Sequence, residues 1–170
     1  MTRQTSVARQ ILVAAILLAA VVAIAAGGSL ATTPNVEGWY ADAVKAPWNP
    51  PTWVFGPAWS VLYLAIAIAG FLFWRSNDTP DGRRRSVLTV YVVQLSLNAA
   101  WTPIFFGGYP LMGEIAWWIA VGVIVALVAS VIWLIAAGRR VSRLAAWLLV
   151  PYLLWLIFAT SLNAAIIVLN

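Results

Sequence analysis

Apolar residues gather into five long runs along this chain, at roughly 11–31, 53–74, 87–106, 115–137 and 144–169, separated by polar breaks. Each run approaches or exceeds the ~20 residues that an α-helix needs to cross the hydrocarbon core of a bilayer. The pattern predicts an all-α integral membrane protein, a single domain of five transmembrane helices over residues 1–170. Most breaks are short, which makes successive helices antiparallel neighbours. The first break, 32–52, is long enough to form structure of its own and is read as a lid over a ligand site.

The first run has a competing reading as a signal peptide, because Arg3 and Arg9 precede it and Ser29-Leu30-Ala31 resembles a small-residue cleavage site. An apolar signal core spans only about 7 to 15 residues, so a retained span is expected. Within this run Ala15, Ala19, Ala23 and Gly27 recur at every fourth position, and Gly122, Ala126 and Ser130 repeat the pattern in the fourth. Such ridges let helices approach closely. Packing inside the bundle is the expected use, with a dimer seam as the alternative.

Composition supports the membrane assignment and removes several chemistries. The chain is 64% hydrophobic and 9% charged, against about 25% charged in soluble domains. There is no cysteine and no histidine, which excludes disulfides and thiolate nucleophiles and leaves zinc, copper and non-haem iron short of ligands. Haem iron likewise has no His or Cys to bind it axially. No metal site is expected, and any tetrapyrrole bound here is expected to be metal-free. Serines such as Ser60 and Ser161 have no histidine to act as general base.

The net charge of +5 comes from clusters: Arg3 and Arg9; Arg75 with Arg83, Arg84 and Arg85; and Arg139, Arg140 and Arg143. They occupy alternate breaks, the other side carrying only Lys45. That is the signature of the positive-inside rule rather than of nucleic-acid binding. It puts the N-terminus in the cytoplasm of a cell with the chain in its inner membrane; in an outer membrane, the alternative, the rule has no force. Of the five carboxylates only Glu114 is expected near a span, as an anion favoured by a helix N-terminus. Asp42 and Lys45 are read as a solvated loop pair, with steering of anionic ligands as the alternative.

Aromatic residues carry the functional signal. The stretch Trp39 to Tyr63, WYADAVKAPWNPPTWVFGPAWSVLY, holds four tryptophans, two tyrosines and four prolines. An interfacial belt places aromatic rings at the helix ends, but here they continue into the helix as the ladder Phe55, Trp59, Tyr63. The third run adds Gln94, Asn98, Trp101 and Phe105 on one face, and the fifth adds Tyr152, Trp155, Ala159 and Asn163 after a bend expected at Pro151. Ala159 leaves a gap that a ring edge can enter. Gln94 and Asn98 either bond a polar group on a greasy ligand or hold helices together. Three converging ladders predict a pocket for a large, flat, apolar ligand.

The same residues resemble the translocator protein family, also called tryptophan-rich sensory proteins or peripheral-type benzodiazepine receptors. The matching motifs are WYADAVKAPWNPPTWVFGPAWSVLY, LNAAWTPIFFG from Leu97 to Gly107, and AWLLVPYLLWLIFATSLN from Ala146 to Asn163. With the five-span pattern they cover nearly the whole chain. The resemblance implies a five-helix bundle, commonly a homodimer, whose pocket under the first loop accepts protoporphyrin and other flat aromatic molecules. It implies Trp39 and Tyr40 on the loop side of that pocket, and Trp59, Asn98, Trp155 and Ala159 in its interior, with Gln94 at a position that is polar in relatives. For some bacterial members it also implies light- and oxygen-dependent breakdown of protoporphyrin, with the tryptophans matching Trp59 and Trp155 as the catalytic residues.

Two departures stand out. Lys45-Ala46-Pro47 replaces the Lys-Pro that relatives often carry, and Asn163 is followed by AAIIVLN, without the Tyr and basic residue of the cholesterol-associated pattern of animal members. Cholesterol binding through that pattern is therefore unsupported. The leading expectation is a membrane receptor or sensor of porphyrin-like tetrapyrroles that regulates their level, export or signalling, with no covalent cofactor. A porphyrin-degrading enzyme and a passive transporter of apolar ligands are the alternatives; ion-coupled transport lacks the expected midplane charges.

Overall fold

A computed structural model describes residues 6–76 and 80–170; Arg3 lies outside the described residues. Among the described residues, five helical spans are long and apolar enough to cross a membrane: Val7–Val36, Thr52–Arg75, Asp81–Met112, Glu114–Gly138 and Arg143–Leu169. The first is one helix, α1 (Val7–Val36), followed by a short lid helix α2 (Trp39–Asp42). The second is a 3₁₀ turn leading into α3 (Phe55–Arg75), and the third is α4 (Asp81–Thr102), a π turn (Pro103–Gly107) and α5 (Gly108–Met112). The fourth is α6 (Glu114–Gly138), and the fifth is α7 (Arg143–Leu148) with α8 (Val150–Leu169).

Several ends differ from those expected, for local reasons. α1 runs five residues past Ala31 because its polar last turns return their side chains to the helix: Thr32 Oγ1 donates to the Gly28 carbonyl at 2.8 Å, Thr33 Oγ1 to Ser29 at 2.9 Å and Asn35 Nδ2 to Ala31 at 2.8 Å. Such back-bonding lets small polar residues stay helical. The lid therefore begins at Glu37. The third span continues to Met112 rather than stopping at Phe106, because the π turn accommodates Pro103, which has no N–H to offer. Only Gly113 separates it from α6, at φ 61° and ψ −143°, a conformation open to glycine and strained for other residues. The fifth span breaks at Leu149, two residues before Pro151.

The helices interlock through α4 on α6, α6 on α8, α1 on α3, and α3 on α7. α3 packs on α7 but hardly on α8, so the second and fifth spans lie close at one end and part towards the other. The basic residues mark the first end, where Arg9 stands 5.8 Å over the Trp74 ring. Close approach depends on glycines other than the two predicted ridges. A Cβ at Gly70 would run into the Tyr91 ring, and one at Gly138 would lie 2.7 Å from Phe73. By contrast Ala15, Ala19, Ala23 and Gly27 are all exposed, and neither Gly27 nor Gly122 has anything within 4 Å of a built Cβ. The expectation that these ridges pack inside the bundle is thus corrected; they face outward beside exposed apolar residues such as Ile16, Val22, Val125 and Ile132.

Candidate functional site

The parting of α3 and α8, with α1 opposite, encloses a cavity of approximately 630 Å³ beneath the lid. That is within the ~300–1,000 Å³ range of small-molecule sites. α3 supplies Phe55, Trp59 and Tyr63, one face at steps of four, and α8 supplies Trp155, Ala159 and Asn163 by the same periodicity. Trp101 and Phe105 enter from the third span, their rings stacked at 5.8 Å. Tyr40 closes the top.

The rings form a continuous wall. Trp59 stacks on Tyr63 at 5.1 Å and 28°, and meets Trp155 edge-on at 6.4 Å and 79°. Phe55 reaches the other side of Trp155 at 5.8 Å. Edge and stacked arrangements of this kind suit the quadrupoles of the rings. Trp155 also lines an apolar groove on the outer side of α3 and α8, with Pro57 and Pro151. Its indole is the partition between cavity and exterior.

Six of the ten residues expected at the site line the cavity: Tyr40, Phe55, Trp59, Trp101, Trp155 and Ala159. Four do not, and the reason is the same for three of them. Tyr63 donates its hydroxyl to Asn98 Oδ1 at 2.9 Å, Asn98 Nδ2 donates to the Tyr152 hydroxyl at 2.8 Å, and Tyr152 donates to Gln94 Oε1 at 3.2 Å. Asn98, Tyr152 and Gln94 are buried behind the aromatic wall. Of the two readings of the amide pair, the structure favours glue: the third, second and fifth spans are joined by one chain of hydrogen bonds. Such a chain holds buried polar groups only when its members are satisfied, and Gln94 Nε2 is the end left without a partner.

Trp39, the fourth, turns away from the cavity. Its Nε1 donates to the Phe106 carbonyl at 3.1 Å, and its ring lies 4.4 Å from Tyr109 and 5.4 Å from Trp117. It anchors the lid to the π turn and α6. Tyr40 beside it donates to Asn49 Oδ1 at 3.2 Å with Lys45 Nζ 5.0 Å above its ring. Burial pushes the Tyr40 phenol above its ordinary value, keeping it a neutral donor. The far side of the lid is held by Asn170, whose Oδ1 accepts from the Val44 N–H at 2.9 Å and whose Nδ2 donates to the Val44 carbonyl at 3.0 Å. Trp48 Nε1 donates to Ser161 Oγ at 3.2 Å.

The sequence did not single out the α1 wall, where Val21, Ala25, Gly28, Thr32 and Val36 face the cavity. Their spacing of three and four is a helical face, but apolar residues surround it on all sides and mask it. Nor was Glu37 expected near a span; it caps the end of α1 and lines the mouth, whereas Glu114 starts α6 away from the cavity.

Comparison with known proteins identifies a family. The sequence profile of the TspO/MBR family matches residues 15–169. The chain is 40% identical over 160 residues to the tryptophan-rich protein TspO of Archaeoglobus fulgidus, covering 94% of this chain and 96% of that one. It is 42% identical over 125 residues to the human translocator protein, covering 74% and 70% respectively. It is 36% identical over 151 residues to the tryptophan-rich sensory protein of Cereibacter sphaeroides, covering 86% and 88%. Five apolar spans, a tryptophan-lined cavity and matches across nearly the full length place this multi-pass membrane protein in the TspO/MBR family.

Proposed function

We propose that the protein is a receptor or sensor that binds porphyrin-like tetrapyrroles, protoporphyrin IX among them, in the cavity under the lid, and so regulates their level, export or signalling. The observation that carries this reading is the ring wall of Phe55, Trp59 and Trp155 facing α1 across a lidded cavity. Flat π-systems gain about 1–3 kcal/mol per stacking partner, and the small side chain of Ala159, one turn from Trp155, admits a ring edge where a larger one would not. Other flat aromatic molecules fit the same description. The names translocator and sensory protein borne by relatives agree with handling of a small ligand at a membrane.

The arginines gathered at one end of the bundle support a cytoplasmic N-terminus in an inner membrane; in an outer membrane, the alternative, the positive-inside rule has no force. A homodimer would find in the outward ridge of α1 a face free of packing within the chain.

A second reading draws on one contact. Trp59 and Trp155 both line the cavity with ring centroids 6.4 Å apart, so a porphyrin excited by light in the presence of oxygen would have two oxidisable indoles beside it. This is the degradative enzyme. A dark titration of the detergent-purified protein with protoporphyrin, followed by illumination of the same sample in air, separates the two. Saturable quenching of tryptophan fluorescence with a Soret band stable to light supports the receptor. Protein-dependent bleaching that is lost in Trp59→Phe supports the enzyme, and absence of saturable quenching contradicts both.

A further inference from the structure

The cavity is closed above and open at its side. Above, the lid is fastened to the third and fifth spans: Trp39 Nε1 donates to the Phe106 carbonyl at 3.1 Å, Trp48 Nε1 donates to Ser161 Oγ at 3.2 Å, and Asn170 pairs with both backbone groups of Val44. Tyr40 is buried under it. At the side, residues of two helices line the cavity and are exposed nonetheless, among them Val22, Ser29 and Thr33 on α1 and Gly56, Ser60 and Leu64 on α3. Val22 is 57% exposed and Leu64 55%, whereas Val21, also in the lining, is 2% exposed. The cavity face of α1 therefore has one packed edge, where a Cβ on Gly28 would touch Thr102, and one free edge beside the gap to α3. A Cβ on Gly56, across that gap, would meet open space.

Both helices belong to membrane spans, so the gap faces hydrocarbon. From Gly56 to Leu64 its α3 edge runs about 12 Å, and towards the basic end the helices close, with Arg9 over the Trp74 ring. The rim hydroxyls suit lipid contact: Thr33 Oγ1 donates to the Ser29 carbonyl and Ser60 Oγ to the Gly56 carbonyl, each at 2.9 Å. A donor satisfied within its own helix faces lipid without an orphaned bond. We propose that this gap is a lateral portal, through which flat apolar ligands dissolved in the bilayer reach the cavity while the lid stays shut. The proposal rests on reading the cavity as a ligand site. Entry under the lid breaks the fastenings above, whereas among the described residues no hydrogen bond joins the α1 rim to the α3 rim. A macrocycle passing edge-on between the rims meets the stacked rings of Trp59 and Tyr63, each one residue before a rim position, Ser60 and Leu64.

The chain has no cysteine, so the portal can be narrowed at one chosen point after folding. Full-length Ser60→Cys is alkylated with N-phenylmaleimide in detergent, reconstituted into phospholipid nanodiscs and compared with its unalkylated form, the wild type and Asn170→Ala. Quenching of tryptophan fluorescence by protoporphyrin IX in the dark gives association and dissociation rates. The expected result is that alkylation slows both rates by the same factor, roughly tenfold, with the affinity unchanged, while Asn170→Ala, which loosens the lid, binds and releases at wild-type rates. Rates untouched by alkylation overturn the portal, and a gain in both rates in Asn170→Ala then assigns the route to the lid. A change in only one rate on alkylation also overturns it, because the added group then acts on the bound ligand rather than on its passage. Absence of saturable quenching in the wild type overturns the ligand site itself, and the portal with it.

Discussion

Asn98 donates to the hydroxyl of Tyr152 at 2.8 Å while accepting from that of Tyr63 at 2.9 Å. One carboxamide thus joins three spans directly behind the cavity. Replacing it by Leu leaves the buried Tyr152 phenol and the half-buried Tyr63 phenol with one partner fewer each, a loss of about 1–3 kcal/mol. Thermal unfolding in detergent should show Asn98→Leu clearly destabilised. An unchanged midpoint would mean that the network does not hold the spans together.

Gly70 and Gly27 make opposite predictions for the same substitution. Gly70→Ala drives a methyl into the Tyr91 ring, whose hydroxyl is fixed to the Ile66 carbonyl at 3.0 Å. The cost should be about 1–3 kcal/mol. Gly27→Ala meets open space and should be neutral or stabilising, since alanine favours a helix interior by up to ~1 kcal/mol. Parallel unfolding curves check both.

Ala159 is the smallest of the α8 side chains that line the cavity, between Trp155 and Leu162. Ala159→Phe should fill that gap and weaken binding of a flat ligand at least tenfold, without lowering the unfolding midpoint. Fluorescence titration beside a thermal melt distinguishes this from general damage.

Asn170 pairs with both backbone groups of Val44. Asn170→Ala should release the lid on that side, speeding hydrogen exchange at the Val44 amide while the Trp39 anchor on Phe106 persists. Exchange measured residue by residue reads the two sides separately. Equal rates in wild type and variant would show that the lid does not depend on this contact.

The five spans were legible because apolar length is a strong signal over 20 residues. Their ends were not: Thr32 and Thr33 read as loop, yet become helical through bonds to their own carbonyls, and the π turn that carries the chain past Pro103 has no simple sequence mark. Within the site, the spacing of four placed Phe55, Trp59, Trp155 and Ala159 on cavity-facing sides. It did not separate Trp101, which reaches the cavity, from Asn98, one turn earlier, which is taken up by tyrosines of two other spans. That distinction is tertiary. The α1 wall escaped notice because a helix apolar all round gives no face to read, and Trp39, assigned to the pocket with Tyr40 by the resemblance, is instead bonded to the Phe106 carbonyl and packed on Tyr109 and Trp117.

The aromatic wall of Phe55, Trp59 and Trp155 is proposed to bind the ligand itself. A dark titration of protoporphyrin, or of its dimethyl ester, against wild type, Trp59→Ala and Trp155→Ala tests it most directly. Saturable binding to the wild type is expected, weakened by about 1–3 kcal/mol in each variant. Wild-type affinity retained in both variants would contradict it and put the ligand elsewhere on the protein.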